Sequence, residues 1–482
     1  MRIETTGFRS LNVLRKNLAL VNYSLVVVLG CLISFLTKDF RLDDALIYYR
    51  YIENCLNGNG LVYNIGERFN AISSPLYIYI SLAASLITRE VETTQFLMNS
   101  IFVILSGISL AYLFYFLNKP TLAFLSSMIF ITTKYFYMTF GLESNLFILL
   151  SLVCIILYFR KNQLGLSIVS GLLVLTRGEG LFLVLILWAL IFYEQRKISL
   201  VKYLLLAGLI VIANNIFNYL YFDSFLPHTL TAKMSQGESG YWGESYSFIL
   251  SYNFLFRMAF NNQPYFVLYI ILLFLVGFTN HIRGKITLIL FSYSVFIALF
   301  HITLNIQNYH WYYAIHFLTM VVFVSYGIID VVRFFRTKIS APVLRRVLLI
   351  LIFAYPVLTQ IELFRLLQRE GPILGYKAAG EWLKKNTPPD VKVAGVEIGH
   401  LGWYSKRYTV DMLGLVNPGL ADFVGRRETD MWFNIYKPEY ILVHKPIRGP
   451  EQLAQKYVEN GTYIEVDEFK YDDIRIYKLK NK

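Results

Sequence analysis

Long apolar runs, separated by short polar segments, dominate the pattern along this chain. Most runs approach the roughly 20 residues that an α-helix needs to cross a bilayer. The pattern therefore predicts an α-helical polytopic membrane protein with about eleven transmembrane helices. We place them at residues 18–36, 97–117, 120–139, 145–159, 164–176, 180–193, 203–221, 264–280, 286–304, 312–332 and 347–363.

A further apolar stretch, Pro75–Thr88, decides the topology. It is short for a span and begins with proline, which is typical of an interfacial or re-entrant helix. If it does not span, the clusters of Lys and Arg between the later runs all lie on the cytoplasmic side, as the positive-inside rule requires; if it spans, they all lie outside. We therefore predict a multi-pass membrane protein with a cytoplasmic N-terminus and an extracytoplasmic C-terminus; the family resemblance described below implies that the membrane is a bacterial cytoplasmic membrane.

The polar segments define the predicted domains. A transmembrane module covers residues 1–369, with a first outer loop at 37–96 and a second long outer loop at 222–263. Residues 370–482 show short β-like runs and amphipathic helices, which predict a small extracytoplasmic α/β domain. Its predicted strands are 391–396, 408–411, 440–444, 463–466 and 474–479, and its predicted helices are 380–386 and 450–460.

Composition supports the membrane assignment and excludes other classes. Only 16% of residues are charged, against about 25% in soluble domains. The net charge of +13 comes from the clusters between apolar runs and not from a basic stripe, so nucleic-acid binding is not expected. The three cysteines are too few for a disulfide framework or a zinc site.

Ionisable side chains gather at the predicted outer ends of the spans. A transporter would place such groups near the bilayer midplane, whereas groups at one membrane surface suit chemistry on a lipid headgroup. The residues concerned are Asp43, Asp44, Arg50, Glu143, Arg177, Glu179, Asp223, His228, Lys233, His301, Tyr309 and His310.

Several short motifs resemble those of a known superfamily. The first loop reads Asp43-Asp44-Ala-Leu-Ile-Tyr-Tyr-Arg50, then Asn57-Gly-Asn-Gly-Leu-Val-Tyr-Asn64 and Ser73-Ser-Pro75. Later motifs are Gly141-Leu-Glu143, Thr176-Arg177-Gly-Glu179, Pro227-His-Thr-Leu-Thr-Ala-Lys233 and Asp411-Met-Leu-Gly-Leu-Val-Asn417. Together they resemble bacterial GT-C glycosyltransferases, most of all the branch that contains mycobacterial terminal arabinofuranosyltransferases.

The resemblance implies a GT-C-like bundle with juxtamembrane helices in the first loop. It also implies a polyprenyl-phosphate-linked sugar donor, an acidic first-loop residue as catalytic base, and a cell-envelope glycan, lipid or protein as acceptor. Gly178, His228 and Asn417 depart from the residues that relatives usually carry, so the donor sugar stays open.

Asp43 and Asp44 are the predicted catalytic residues. Neighbours on a helix diverge by about 100°, so one can face the substrate while the other orients it, holds a divalent cation or faces away. Two adjacent carboxylates also repel, which raises the pKa of one toward that of a useful base. A plain helix N-cap is the structural alternative. Mg²⁺ or Mn²⁺ is a possible cofactor because both prefer oxygen ligands, although the sequence contains no dedicated metal motif.

The remaining candidates divide into donor-site and C-terminal groups. Arg177 and Lys233 are predicted to contact the phosphate, with Glu179 as the ion-pair partner of Arg177. Glu143 is predicted to anchor a sugar hydroxyl, a cation or the acceptor. Further candidates, each with a structural alternative such as a salt bridge or an interfacial aromatic belt, are Arg50, His228, Tyr309 and His310. In the C-terminal domain, the residues Glu397, His400, Asp411 and Asn417 belong either to an acceptor site or to a structural lid.

Two other functions fit the pattern. An oligosaccharide ligase or polymerase that uses a lipid-pyrophosphate donor would need a wider cavity. A lipid or glycan transporter would tolerate the loss of at least one of the two adjacent aspartates.

Overall fold

Helices form most of the computed structural model, which describes residues 4–240, 248, 263–306, 308–369, 374–428, 430–447 and 449–480. Much of the predicted second outer loop, residues 241–247 and 249–262, lies outside the described residues. The first fourteen helices, in chain order, are α1 Glu4–Leu36, α2 Asp43–Leu56, α3 Pro75–Thr88, α4 Val91–Phe116, α5 Pro120–Thr132, α6 Ser144–Phe159, α7 Gln163–Thr176, α8 Gly180–Gln195, α9 Val201–Phe222, α10 Thr229–Ser239, α11 Pro264–His281, α12 Lys285–Thr303, α13 Ala314–Lys338 and α14 Pro342–Arg369.

A helix occupies each predicted span. Among the described residues, six helical segments have the length and apolar composition needed to cross a membrane, namely Lys16–Leu36, Val91–Phe116, Ile198–Phe222, Pro264–His281, Lys285–Thr303 and His310–Lys338. The helices α3 and α5–α8 are apolar but shorter. A multi-pass membrane protein is therefore confirmed, while the number of spans and their orientation stay predictions.

The predicted span at 120–139 is wrong at its C-terminal end. Helix α5 stops at Thr132, and a short 3-10 turn follows at Lys134–Phe136. The Thr133 hydroxyl donates to the Ile129 carbonyl (2.6 Å), and the Tyr137 hydroxyl donates to the Ile131 carbonyl (2.8 Å). These side chains satisfy carbonyls that another helical turn would have used, an effect that an apolar run does not reveal.

Helix α3 coincides with the stretch that was predicted not to span. Pro75 lies in its first turn, where a missing N–H costs nothing, and Arg89 ends it with a φ of 60°. The Tyr77 hydroxyl donates to Gln95 of α4 (2.7 Å), and the Tyr79 hydroxyl donates to Asn214 of α9 (2.8 Å). These hydrogen bonds fix the helix against the bundle. Its place at the membrane surface stays a prediction.

The C-terminal region contains the predicted sheet. Its strands are β1 Lys392–Gly395, β2 Tyr408–Asp411, β3 Tyr440–His444, β4 Tyr463–Tyr471 and β5 Ile474–Leu479, in the order β2-β1-β3-β5-β4. The first three strands are parallel, and β5 runs antiparallel between β3 and β4. The helices around it are α15 Leu374–Asn386, α16 Ile398–Ser405, α17 Leu420–Gly425, α18 Met431–Tyr436 and α19 Gln452–Glu459. All five strands are confirmed, although α15 begins before the predicted 380 and β4 extends beyond the predicted 466.

The edge strand β2 is held against the first loop by buried side chains. The Asn64 amide donates to the Thr409 carbonyl (2.9 Å) and accepts from the Thr409 N–H (3.0 Å), as a neighbouring strand would. Arg50 donates to the carbonyls of Tyr63 (2.7 Å) and Arg407 (2.5 Å) and to the Thr409 hydroxyl (3.0 Å). The first loop and the C-terminal region therefore form one packed unit, and the candidate site lies beside it.

Candidate active site

The two adjacent aspartates face different partners. The Asp43 carboxylate, 9% exposed, accepts from the backbone N–H groups of Gly399 (3.0 Å) and His400 (2.7 Å), at the start of α16. The same carboxylate lies 2.7 Å from Nδ1 of His400. An anion at a helix N-terminus is stabilised both by the unpaired N–H groups and by the helix dipole. Asp43 thus binds the C-terminal region to α2.

A glycine permits this contact. A Cβ atom at position 399 would lie 1.8 Å from the Asp43 carbonyl oxygen, much closer than any real side chain approaches. Gly399 therefore lets α16 approach α2 closely enough for the two N–H groups to reach the carboxylate.

Asp44 faces a cavity of about 350 Å³. Burial raises the pKa of its carboxyl to about 6, Lys233 acts against this shift, and the neighbouring carboxylates of Asp43 and Glu143 add to it. Such a carboxyl can hold or release a proton near neutral pH. The cavity is also lined by Tyr48, Ser73, Glu143, Arg177, Glu179, Leu226, Lys233, Phe300, His301, Trp311, Tyr312 and Leu415.

A chain of buried polar contacts forms one wall of the cavity. Arg177, 8% exposed, donates to Glu143 (2.7 Å) and to Glu179 (2.6 Å). The Tyr48 hydroxyl donates to Glu143 (3.2 Å) and lies 2.6 Å from the Ser73 hydroxyl. Burial opposes the charge of Arg177, but the two carboxylates outweigh it and raise the pKa of the guanidinium. Arg177 is thus already balanced by anions.

Glu143 reaches this wall because the preceding chain passes very close to α2. Gly141 has a φ of 90°, and a Cβ atom there would lie 2.4 Å from the Ala45 Cβ. Only glycine adopts this conformation at this separation. The motif Gly141-Leu-Glu143 thereby places its carboxylate against Tyr48 of α2.

His301 completes this wall. Its Nε2 lies 3.5 Å from Glu179, while its Nδ1 lies 2.9 Å from the Ile297 carbonyl. Burial acts to raise the pKa of the Glu179 carboxyl, but Arg177 and His301 outweigh it and lower that pKa to about 2. Glu179 is therefore a fixed anion near neutral pH.

Lys233 lies on the opposite side, on α10. Its ammonium is 4.0 Å from the centre of the Tyr309 ring, a cation–π distance. Within the described part of the chain it forms no hydrogen bond or ion pair. Tyr309 stacks on Trp311 (4.5 Å between ring centres), and burial followed by the nearby carboxylates raises the pKa of its phenol. Lys233 is thus the cavity cation best able to meet an added anion.

Arg50, His228 and His310 lie away from the cavity lining, and Tyr309 contacts the cavity through the ammonium of Lys233. Arg50 donates to Tyr63 and Asn64 of the first loop and to Arg407 and Thr409 of the C-terminal region. His228 stacks on Phe69 (4.6 Å), and burial lowers the pKa of its imidazole. His310 is buried with Nε2 3.3 Å from the Met138 carbonyl. Each of the three therefore has a structural explanation.

The site also contains residues that were not among the predicted site residues. Tyr48 and Ser73 belong to the first-loop motifs, and Tyr48 lies four residues after Asp44, so both face the same side of α2. This spacing of four residues could have predicted that Tyr48 lies beside Asp44 in the site. The roles of Trp311, Tyr312 and His301 depend on how two distant helices pack, which no local motif shows.

Divalent-cation binding by Asp43 and Asp44 stays a prediction. Both oxygens of Asp43 accept hydrogen bonds from the C-terminal region. Among the residues described, no group of three or more His, Cys, Asp or Glu side chains is arranged to hold a metal ion.

The C-terminal candidates lie at the carboxyl ends of the parallel strands. Asp411 accepts from the N–H groups of Leu413 (2.8 Å) and Leu415 (2.5 Å), and Asn417 accepts from the Asp411 N–H (2.7 Å). They shape the turn that brings Leu415 to the cavity. Glu397 follows β1, immediately before the N–H groups that bind Asp43.

Comparison with known proteins gives a clear answer on the fold. A domain of unknown function, DUF8728, matches residues 365–478, and no curated protein matches the chain. ArnT from Cupriavidus metallidurans, solved with undecaprenyl phosphate, is similar at a TM-score of 0.56 and 11% identity, over 94% of this chain and 97% of ArnT.

Two other glycosyltransferases also match. The oligosaccharyltransferase AglB from Archaeoglobus fulgidus, solved with an inhibitory peptide and a dolichol-phosphate, matches at a TM-score of 0.51 and 13% identity, over 88% of this chain and 69% of AglB. The mycobacterial arabinofuranosyltransferase AftD matches at 0.49 and 12% identity, over 95% of this chain and 40% of AftD. The predicted fold is confirmed, since the chain shares the fold of ArnT and AglB.

Proposed function

We propose that this protein is an inverting glycosyltransferase that moves a sugar from a polyprenyl-phosphate donor to a hydroxyl group of a cell-envelope acceptor. The observation that carries the proposal is the arrangement of one cavity. In it a carboxyl group with a pKa of about 6, Asp44, lies near Lys233, a cation that has no ion pair with any residue the structure describes. The polyprenyl phosphates bound to ArnT and AglB support a donor of the same class. We place the reaction at the outer face of a bacterial cytoplasmic membrane.

Asp44 is the proposed base. It accepts the proton of the acceptor hydroxyl while the acceptor oxygen bonds to the anomeric carbon of the sugar. The bond between that carbon and the phosphate oxygen breaks at the same time, and polyprenyl phosphate leaves with the bonding electrons. A single displacement inverts the anomeric configuration. A positioned base of this kind contributes about 10²–10⁴ in rate.

Lys233 is the proposed partner of the leaving phosphate. Charge develops on the phosphate as the bond breaks, and a cation aimed at that charge lowers the barrier. Arg177 is less suited to this part because two carboxylates already balance it. We assign it instead to holding Glu143 and Glu179, whose oxygens face the cavity where the sugar hydroxyls would lie.

Single-sugar transfer fits the cavity better than transfer of a whole glycan. About 350 Å³ is near the lower end of the roughly 300–1,000 Å³ that small-molecule sites occupy. A transporter is also less well supported, since these ionisable groups do not lie in the middle of the candidate membrane-spanning helices.

The test begins with glycan mass spectrometry of a strain that lacks the gene. The glycan fraction from that strain then serves as acceptor in single-turnover assays with a panel of undecaprenyl-phosphate sugars. Asp44→Asn should reduce transfer by about 10²–10⁴. Asp39→Asn, which removes an exposed carboxylate four residues before Asp43, should leave transfer unchanged. An unaltered glycan inventory together with no donor consumption would refute the proposal.

A further inference from the structure

We propose that the acceptor binds at the crevice between the carboxyl ends of β1 and β3, and that it is an uncharged, hydroxyl-rich glycan. The inference rests on the proposed function and adds to it the place and chemical class of the acceptor.

The topology of the sheet creates this crevice. From β1 the chain continues through α16 to β2 on one side, and it later returns past β1 to form β3 on the other side. The loops that follow β1 and β3 therefore separate in opposite directions. In open α/β sheets, such a switch point at the carboxyl edge is where ligands bind.

The crevice lies beside the proposed base. Glu397 follows β1, and the next residues of the same loop, Gly399 and His400, bind the Asp43 carboxylate. Burial, followed by the charges of Asp43 and Asp44, raises the pKa of the Glu397 carboxyl. That carboxyl forms no hydrogen bond with any described residue, so it is free to bind a substrate hydroxyl near Asp44.

Polar side chains form the other side of the crevice, after β3. His444 Nδ1 lies 2.7 Å from Glu451, and the Tyr376 hydroxyl donates to the same Glu451 oxygen (3.0 Å). Tyr376 and Glu451 are each 2% exposed. These three side chains satisfy one another, as burial requires, and Glu397 connects them electrostatically with Asp44.

A second, independent observation points to a missing partner. His400 is 1% exposed, and its Nδ1 faces Asp43. Its Nε2, on the far edge of the ring, has no hydrogen-bond partner within the described chain. The His400 ring lies 6.4 Å from the Tyr376 ring, so this unpartnered atom belongs to the same cluster of polar side chains. Buried imidazole nitrogens are rarely left unpaired.

The charges determine the class of acceptor. Carboxyl, imidazole and phenol groups both donate to and accept from sugar hydroxyls. Beyond burial, the charges of Asp43, Asp44 and Glu451 raise the pKa of Glu397, whereas Lys233 lowers it. An acceptor with its own carboxylate or phosphate next to the attacked hydroxyl would add a further anion beside these acidic groups, which is unfavourable. The crevice therefore favours a neutral glycan.

The experiment uses the full chain in lipid nanodiscs and the glycan fraction from the deletion strain. Transfer is measured against acceptor concentration, and hydrolysis of the donor is measured without acceptor. Glu397→Gln and Tyr376→Phe should each raise the half-saturating acceptor concentration about tenfold, the equivalent of one hydrogen bond, with donor hydrolysis unchanged. Glu381→Gln, on the exposed face of α15 and paired with Lys377 (3.9 Å), is the matched control and should leave both unchanged.

A competition assay tests the charge argument. The same glycan fraction, native or with its primary hydroxyls oxidised to carboxylates, competes with labelled acceptor. The oxidised glycan should compete at least about tenfold less well than the native glycan for the wild-type protein. Equal competition by both forms would overturn the assignment of a neutral acceptor.

The outcomes separate this inference from the proposed function. If the wild-type protein consumes no donor from the panel, the proposed function fails and the inference fails with it. If the wild type is active but the Glu397 and Tyr376 variants bind acceptor normally, the inference alone fails. Loss of donor hydrolysis in these variants would also overturn it, because that result would place the residues in the donor site.

Discussion

Asp43→Asn should release the C-terminal region from α2 without removing the proposed base. The native carboxylate accepts from two backbone N–H groups and lies within hydrogen-bond distance of His400 Nδ1, at 3.0, 2.7 and 2.7 Å. An asparagine keeps one oxygen for these contacts. Its NH₂ group would then face an N–H donor, so at least one hydrogen bond is lost and one buried N–H is left unpaired.

The expected magnitude follows from these contacts. A hydrogen bond to a charged group contributes about 1.5–3 kcal/mol, and an unsatisfied buried donor costs about 1–3 kcal/mol. A net loss of about 3 kcal/mol for this contact corresponds to a roughly 100-fold increase in the open fraction of the docked helix.

Amide hydrogen exchange followed by mass spectrometry measures this opening directly. Peptides that cover α16, Ile398–Ser405, should exchange about 100-fold faster in Asp43→Asn. Asp44→Asn is the matched control, because it removes the adjacent charge from the same helix but none of these contacts, and its exchange should match the wild type. If exchange in α16 is unchanged while sugar transfer collapses, Asp43 acts in the chemistry and the docking role assigned to it is wrong.

Three further predictions follow from the site. The acid limb of the pH profile of kcat/KM should lie near pH 6, because Asp44 must be unprotonated to act as base. Lys233→Met should move this limb to higher pH, because Lys233 lowers the pKa of Asp44. Gly402→Ala should lower the thermal midpoint, because its Cβ would lie 2.1 Å from the Tyr63 hydroxyl and overpacking costs about 1–3 kcal/mol. Arg177→Met should lower the thermal midpoint further, because it leaves two buried carboxylates without their cation. The expected loss in the free energy of unfolding is about 3–5 kcal/mol.

Each of these predictions has a control in the chain. Asp411 also has a pKa of about 6, which burial raises and the backbone N–H groups bound to its carboxylate lower. If Asp44 is the group that titrates in the acid limb, Asp411→Asn should leave that limb unchanged. Gly208→Ala, with no atom within 4 Å of the added Cβ, should stabilise α9 slightly. Arg426→Met breaks an exposed ion pair with Glu428 (2.8 Å), which is worth less than about 1 kcal/mol. A midpoint that moves equally in Arg177→Met and Arg426→Met would contradict the buried role of Arg177.

Much of the architecture was predictable because local signals mark the element ends. Pro75 and Pro120 each lie in the first turn of a helix, as their missing N–H favours. The strands of the C-terminal sheet are short β-rich runs between polar turns, and each appears at its predicted position. The end of α5 was not predictable, since threonine and tyrosine hydroxyls, and not a proline or glycine, stop the helix.

The candidate site was predictable as a set of residues but not as a set of contacts. Helix ends on one side of the bundle meet, so Glu143, Arg177 and Glu179 were expected near one another. That Arg177 would be balanced by both carboxylates, leaving Lys233 as the cation suited to a phosphate, depends on distances that sequence spacing does not give. The contact of Asp43 with His400 joins residues 357 positions apart, and nothing near either residue indicates the other.

The adjacency of Asp43 and Asp44 explains why the sequence predicts two roles and leaves their assignment open. Successive residues of a helix point about 100° apart, so one carboxylate can bind the C-terminal region while the other faces the cavity. The position of Gly399 determines that Asp43 is the carboxylate that binds the C-terminal region, since the missing side chain of this glycine lets α16 reach Asp43. The base and the docking residue therefore share one turn of α2, and any movement of the C-terminal region is transmitted directly to Asp44. If the acceptor binds to that region, its binding and the placement of the base are mechanically linked.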